Sequence, residues 1–341
     1  MDKIKVGIIN VTGYAGVELA RLLSQHPQVE LASVTGRSAA GQSLSEVFPH
    51  LAGIDLTIKA KLGDVELAFS AMPHKESAEE IIPLLEKGIK VVDISADFRL
   101  KDASEYQQWY GLNHPAPQLL AQAVYGLPEL HRAQIAPAQL VANPGCYPTG
   151  AILALAPAVK AKLIGPDIIV DSKSGVSGAG RTLSLATHYS EANEDTTAYA
   201  LEGHRHLPEI TQELKLLNPG QSPSVTFVPH LIPMTRGILT TAYANLTSGK
   251  LKAEELRKLY LDFNKDEPFV RVADSPPHTK QTWGSNLCLV YPTVDQRTGR
   301  LVVISVIDNL VKGAAGQAIQ NMNLMLGLPE TMGLEALPVY P

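Results

Sequence analysis

Apolar residues along the chain fall into two textures. Up to about residue 145, short runs of β-branched and aliphatic residues alternate with helical periodicity. Ile4 to Ile9 predicts a buried strand, a turn at Gly13 follows, and Ala15 to Gln25 predicts a helix. Leu19, Leu22 and Leu23 share one face of that helix, and His26-Pro27 ends it. Val29 to Val34 is the next strand, so strand, turn, helix and strand form a βαβ unit. The alternation continues through Val65 to Ser70, the helix Ser77 to Lys87 with Ala78, Ile81, Ile82 and Leu85 on one face, Ile89 to Ile94, and Leu140 to Ala142. Parallel strands with helical crossovers predict an α/β, doubly wound Rossmann-type parallel sheet.

Beyond Cys146 the texture changes. After an apolar helical run from Gly150 to Leu155, strands are predicted at Ile168 to Ser172, Val225 to Val228, Ile238 to Leu246, Leu287 to Tyr291 and Leu301 to Ile307. Arg297 to Arg300 reads as a hairpin connection. Ala253 to Phe263 is an amphipathic helix with Leu256, Leu259, Tyr260 and Phe263 on one face, and Lys312 to Leu326 is a final helix. This half predicts a second α+β domain with a mostly antiparallel sheet. The expected division is residues 1–145, 146–311, and a tail at 312–341 that returns to the first domain.

Composition narrows the function. The 341 residues carry 29 basic and 34 acidic side chains, a net charge of -5, with no block of basic residues, which excludes nucleic acid and anionic membrane as expected partners. The N-terminus runs straight into a strand pattern and no apolar run approaches ~20 residues, so a cytoplasmic protein is expected. Cys146 and Cys288 have no metal-type spacing, and no Cys or His cluster completes a zinc set.

Gly7, Asn10, Gly13 and Gly16 recur at three-residue spacing across the first strand-to-helix turn. Small residues there admit a pyrophosphate to backbone amides at a helix N-terminus. At the end of the second strand, where an NAD enzyme usually carries an acid, this chain has Thr35-Gly36-Arg37-Ser38. A cation and a hydroxyl suit a 2′-phosphate, so NADP is favoured over a reading of Arg37 as a solvated surface residue.

Asn143-Pro144-Gly145-Cys146-Tyr147-Pro148-Thr149 follows a strand and precedes a helix. A thiol at a helix N-terminus has a lowered pKa and can act as a nucleophile, whereas Cys288 lies in a strand interior and reads as a core residue. His204 and His206, in Gly203-His204-Arg205-His206-Leu207-Pro208-Glu209, are candidate proton carriers. Ser174 to Arg181 is a Gly- and Ser-rich loop suited to an anion, and Arg236 is a further cation whose role the sequence leaves open.

In combination, Gly13-Tyr14-Ala15-Gly16, Ser95-Ala96-Asp97-Phe98-Arg99, Tyr125-Gly126-Leu127-Pro128-Glu129, the cysteine segment, His204 to Ile210, Pro229 to Gly237 and Asp308 to Gly316 resemble the N-acetyl-gamma-glutamyl-phosphate reductase family. The resemblance runs nearly end to end. It implies a fold shared with aspartate-semialdehyde dehydrogenase, NADP as cofactor, an acyl phosphate substrate, a role in arginine biosynthesis, and a homodimer or homotetramer. Cys146 then matches the nucleophile and His204 the acid/base, with His206 a helper. The expected cofactor contacts are Gly7, Asn10, Thr12, Gly13, Tyr14, Ala15, Gly16, Arg37, Ser38, Ser70, Pro73, Ser177, Gly178 and Asn309. The expected substrate contacts are Asn143, Ser174, Arg181, Arg205 and His206. The chain departs from the family in carrying Asn10 where glycine is usual, which puts the geometry of the turn in question. Three other readings stay open: a reductase of a carrier-protein-linked aminoadipyl or glutamyl phosphate, an aspartate-semialdehyde dehydrogenase, and a non-catalytic NADP-sensing regulator.

Overall fold

The computed structural model describes residues 3–248 and 251–341. It divides into two compact units, one made of residues 1–144 and 314–336 and the other of residues 145–313 and 337–341. Among the described residues no helix is long and apolar enough to cross a membrane.

The first unit holds a six-stranded, all-parallel sheet of β1 (Ile4–Ile9), β2 (Val29–Val34), β3 (Leu67–Ser70), β4 (Lys90–Asp93), β5 (Val124–Tyr125) and β6 (Leu140–Ala142), in the order β2-β1-β3-β4-β6-β5. α1 (Tyr14–Leu23) and α2 (Ser77–Glu86) are the first crossovers. Leu19, Leu22 and Leu23 are buried as the periodicity predicts, and Ala78 and Ile81 pack on Ile9, Val91, Phe98 and Leu140. The strands carry few polar residues because helices cover both faces of a parallel sheet. The helix Gly316–Met325 belongs to this unit and is buried over most of its length.

The second unit holds a seven-stranded mixed sheet of β7 (Ile164–Gly175), β8 (Thr197–Ala198), β9 (Ser224–Ile232), β10 (Ile238–Leu246), β11 (Val270–Val272), β12 (Cys288–Asp295) and β13 (Arg300–Ile307), in the order β11-β12-β13-β10-β7-β9-β8. Most neighbours are antiparallel, while β7 with β9 and β11 with β12 run parallel. α3 (Cys146–Lys160), α4 (Leu207–Leu217) and α5 (Ala253–Phe263) pack against the strands. α3 is buried from Tyr147 to Val159, and the Tyr260 hydroxyl of α5 donates to its Ala154 carbonyl at 2.7 Å.

β7 is far longer than the predicted Ile168–Ser172, because Asp171 and Lys173 point to the half-exposed face and hide the period from an apolar count. β9 and β12 are extended for the same reason. The Arg297–Arg300 hairpin forms as expected, with Gly299 at φ 67°. The final helix differs from its prediction: Val311–Ala315 is a π-helical turn, and regular helix begins at Gly316.

Candidate functional site

The nucleotide end of the first unit is built on the turn after β1. Gly13 is the N-cap of α1 with no capping side chain, and a Cβ there would meet nothing within 4 Å, so no side chain of the cap satisfies the first amides of the helix. Gly16 is required by packing, since a Cβ would come within 2.6 Å of the Asn10 carbonyl oxygen. Gly7 is also a packing residue: its Cβ would lie 2.7 Å from Leu62. Thr12, Gly13 and Ala15 are half-buried, and Tyr14 is exposed.

Asn10 resolves the departure from the family pattern. Its φ is 64°, the left-handed region that glycine and asparagine tolerate best. Its backbone N–H donates to Thr35 Oγ1 at 3.1 Å, its Nδ2 donates to the Ala71 carbonyl at 2.9 Å, and its Oδ1 accepts from Thr12 Oγ1 at 3.2 Å. The side chain therefore fastens the turn to the end of β3 and braces it internally through Thr12, while the backbone amide ties it to the end of β2.

Beside this turn lies a cavity of ≈ 350 Å³ whose lining includes Asn10, Thr35, Gly36, the cations Arg37, Lys61 and Lys87, and the acids Glu79 and Glu80. Arg37 stands at its rim, paired with Glu76 and 3.9 Å from Glu80. Ser38 and Pro73 are exposed nearby in sequence. Ser70, by contrast, is fully buried, and its hydroxyl bonds Ser77 at 2.6 Å, which in turn donates to Asp93. Burial, with Asp97 adding, pushes the Asp93 carboxyl up to about 6. The glycine-spaced helix start and the adjoining cavity fit a dinucleotide, and Arg37, Lys61 and Lys87 are the cations there that a phosphate would meet. Sequence reasoning missed Lys61, Lys87 and the glutamates, because no motif marks them.

The chemical end of the second unit is built on α3. Gly145 is the N-cap and Cys146 the first helical residue, half-buried, so the thiol stands at the positive end of the helix. The Gly145 N–H donates to Glu209 Oε1 at 2.7 Å, which ties the cysteine turn to the first turn of α4. Glu209 is 1% exposed. The residues just before α4 are His204, Arg205 and His206, so this bond joins the two motifs that the sequence singles out.

An aromatic wall completes the grouping. The Tyr147 ring stands edge-on to His204 at 5.6 Å, to His206 at 5.9 Å and to Phe227 at 5.3 Å. Tyr199 is 5.6 Å from His204, and its hydroxyl donates to Tyr147 Oη at 3.1 Å. The Tyr147 hydroxyl donates to the His230 carbonyl at 3.1 Å. Burial holds the Tyr147 phenol far above its ordinary value and pushes Tyr199 up to about 12, so both stay protonated donors. Burial, reinforced by the Arg205 cation, pushes His204 down to about 4. His204 Nδ1 accepts the His206 N–H at 3.0 Å, so the neutral ring carries its proton on Nε2. Tyr147, Tyr199 and Phe227 had no sequence signal beyond the adjacency of Tyr147 to the cysteine.

The other expected residues divide. Ser177 is buried and its hydroxyl accepts from Asn309 Nδ2 at 2.9 Å, while Asn309 Oδ1 accepts the Gly237 N–H at 2.7 Å. Gly178 and Arg181 are exposed, and a Cβ at Gly178 would lie 2.9 Å from Ser174 Oγ. Ser174 is buried and donates to the Gly175 carbonyl. Arg205 is exposed and His206 half-buried. Asn143, in the first unit, is fully buried with its amide engaged by Ala314 and Asn321. Arg236 pairs with the buried Asp308 at 3.4 Å.

Comparison with known proteins matches this division. Residues 5–138 match the semialdehyde dehydrogenase NAD binding domain, and residues 146–309 match the semialdehyde dehydrogenase dimerisation domain. The first unit is accordingly a nicotinamide-nucleotide-binding domain. An N-acetyl-gamma-glutamyl-phosphate reductase from Dehalococcoides mccartyi is 60% identical over 100% of both chains, and one from Pelotomaculum thermopropionicum is 52% identical over 99% of both. Among solved structures, aspartate semialdehyde dehydrogenase II from Vibrio cholerae aligns with a TM-score of 0.71 at 16% identity, covering 96% of this chain and 99% of that one. The NADP complex of the Candida albicans aspartate semialdehyde dehydrogenase aligns at 0.70 and 15%, covering 95% and 99%. The fold is shared with those structures, while these reductases are more than one-half identical along the full length of both chains, and on that ground the chain belongs to the N-acetyl-gamma-glutamyl-phosphate reductase family.

Proposed function

We propose that the protein is an NADPH-dependent reductase that converts N-acetyl-gamma-glutamyl phosphate to the 5-semialdehyde and phosphate through a thioester on Cys146. The observation that carries this reading is the placement of Cys146 at the N-terminus of α3, tied through Glu209 to the helix that follows His204 and His206. The related reductases lend the substrate.

The Cys146 thiolate attacks the γ-carbonyl carbon, the C–O bond to phosphate breaks, and phosphate leaves with the proton surrendered by the thiol. We assign the backbone N–H groups at the start of α3, other than that of Gly145, which Glu209 engages, to the negative charge that develops on the carbonyl oxygen. His204, neutral and protonated at Nε2, donates a hydrogen bond there rather than acting as an imidazolium partner of the thiolate. NADPH, when held by the first unit, would supply the hydride for the thioester carbon. The C–S bond then breaks as the carbonyl re-forms, which returns the thiolate. Gly13 to Gly16 would hold the pyrophosphate, and Arg37 with Ser38 the 2′-phosphate. Of the expected substrate contacts, Ser174, Arg181, Arg205 and His206 are the groups we assign to the substrate, and Asn143, whose amide is engaged within the first unit, is not.

The protein acts as a homo-oligomer on this reading. The face of the second sheet away from α3 presents Ile169, Leu239, Tyr243, Leu289, Tyr291, Val302 and Ile304, all short of full burial. An apolar face of that kind suits a second copy.

The test is the reverse reaction: phosphate-dependent reduction of NADP⁺ with N-acetyl-glutamate semialdehyde, beside Cys146→Ala. Activity that vanishes in the variant is expected. Turnover retained in Cys146→Ala would overturn the thioester route, and inactivity of a wild-type protein that binds NADPH would overturn the substrate.

A further inference from the structure

Gly313 closes the turn that begins at Asp308. Its N–H donates to the Asp308 carbonyl at 2.9 Å, a reach of five residues, and the turn leads into the π-helical segment Val311–Ala315. A Cβ at position 313 would lie 2.9 Å from Cys146 Cβ, 3.4 Å from Cys146 Cα and 3.3 Å from the Asp308 carbonyl oxygen. Its φ is not in the left-handed region, so space rather than backbone conformation demands the glycine. The turn backbone thus lies so near the stem of the cysteine that no side chain fits between them.

The turn has little freedom to retreat. The Asp308 carboxylate is fully buried and accepts from the backbone N–H groups of Leu310 at 2.8 Å, Val311 at 3.2 Å and Gly284 at 2.8 Å, and from Arg236 at 3.4 Å. Asn309 clamps the same turn to Ser177 and Gly237. Single π-turns are rare and frequently lie at functional sites.

We propose that Gly313 is a positioning residue for the nucleophile: its missing side chain lets the anchored turn pack close against Cys146 Cβ, which restricts the side-chain rotamer and fixes the direction of Sγ at the helix N-terminus. The proposal rests on Cys146 as the nucleophile. It makes the Asp308 to Gly313 turn a device that transmits the placement of the Ser177 loop and of Arg236 to the sulfur.

The experiment places Gly313→Ala in three full-length backgrounds: Cys146, Cys146→Ala and Cys146→Gly. Three quantities are read: the melting temperature, the pH profile of Cys146 alkylation by iodoacetamide with buried Cys288 as internal control, and kcat with KM. The Cys146→Ala background keeps the Cβ that Gly313→Ala would strike, and Cys146→Gly removes it. We expect the melting temperature to drop in the first two backgrounds and most of the drop to vanish in the third, the signature of a direct contact. Recovery of a folded protein only in Cys146→Gly counts the same way. In the Cys146 background we expect the alkylation profile to shift by about half a pH unit or its plateau to fall about fivefold. Turnover should fall by roughly tenfold or more with KM within about threefold. An equal loss of melting temperature in all three backgrounds overturns the contact. An unchanged alkylation profile overturns the positioning role. Neither readout uses the substrate, so failure of the assigned reaction would register separately, as wild-type inactivity.

Discussion

Asn10 offers the sharpest test of how the nucleotide turn is held. At φ 64° an alanine incurs the left-handed cost of an L-residue, ~1–2 kcal/mol, which asparagine partly escapes and glycine avoids. Either substitution also removes the bond from Nδ2 to the Ala71 carbonyl and the acceptor for Thr12, together worth ~1–2 kcal/mol net. Asn10→Ala should therefore destabilise the protein by ~2–3 kcal/mol, and Asn10→Gly by only ~1–2 kcal/mol. The assay is urea denaturation of the three proteins, with NADPH titration by nicotinamide fluorescence beside it. Glycine should fall between asparagine and alanine in stability and bind NADPH no more weakly than the parent. Equal stability of Asn10→Ala and Asn10→Gly would refute the argument that backbone conformation selects this residue.

Other outcomes rest on the same geometry. Arg37→Ala should weaken NADPH binding by roughly tenfold or more and leave NADH unchanged, because a charge-assisted contact of ~1.5–3 kcal/mol is lost; equal effects on both nucleotides, measured by titration, would remove Arg37 from the 2′-phosphate. Glu76→Gln should tighten 2′,5′-ADP binding by freeing Arg37 from its carboxylate partner, and a calorimetric titration showing no change would count against that competition. Glu209→Ala leaves the Gly145 N–H without its acceptor, so stability should drop by ~2 kcal/mol in a denaturant melt and turnover should fall with it. For His204 the sign is fixed by its depressed value: the folded state binds fewer protons than an unfolded histidine between about pH 6.5 and 4, so stability present above pH 6.5 is lost as pH falls toward 4. His204→Gln should flatten that part of the stability profile, and an unaltered slope would show that the ring is not held neutral.

The periodicity of the chain was sufficient for the two textures, because each apolar residue of a crossover helix or covered strand must find the same side. Leu19, Leu22, Leu23, Ala78 and Ile81 are buried for that reason. Cys146 at a helix start was equally legible, since Pro144-Gly145 before an apolar run marks a helix boundary. The extent of β7 was not, because polar residues on a half-exposed face break an apolar run without ending a strand. The π-turn at Val311–Ala315 was hidden as well, since no residue type marks it and its anchors, the buried Asp308 and the close approach of Gly313 to Cys146, exist only in the folded chain.

The chemistry divides along the same line. Local sequence sufficed to single out a candidate nucleophile, two histidines and a glycine-spaced turn, because each needs particular residue types within one short segment. It was silent on which partners those groups meet. Glu209 reaching Gly145, Tyr147 and Phe227 walling His204, Glu76 on Arg37 and Gly313 on Cys146 are meetings of residues distant in the chain. The charge state of His204 depends on them too, since burial and the neighbouring cation exist only in the folded chain. Residue type is written locally, but burial, proton placement and clearance around a sulfur are properties of packing, and packing is decided by the whole fold.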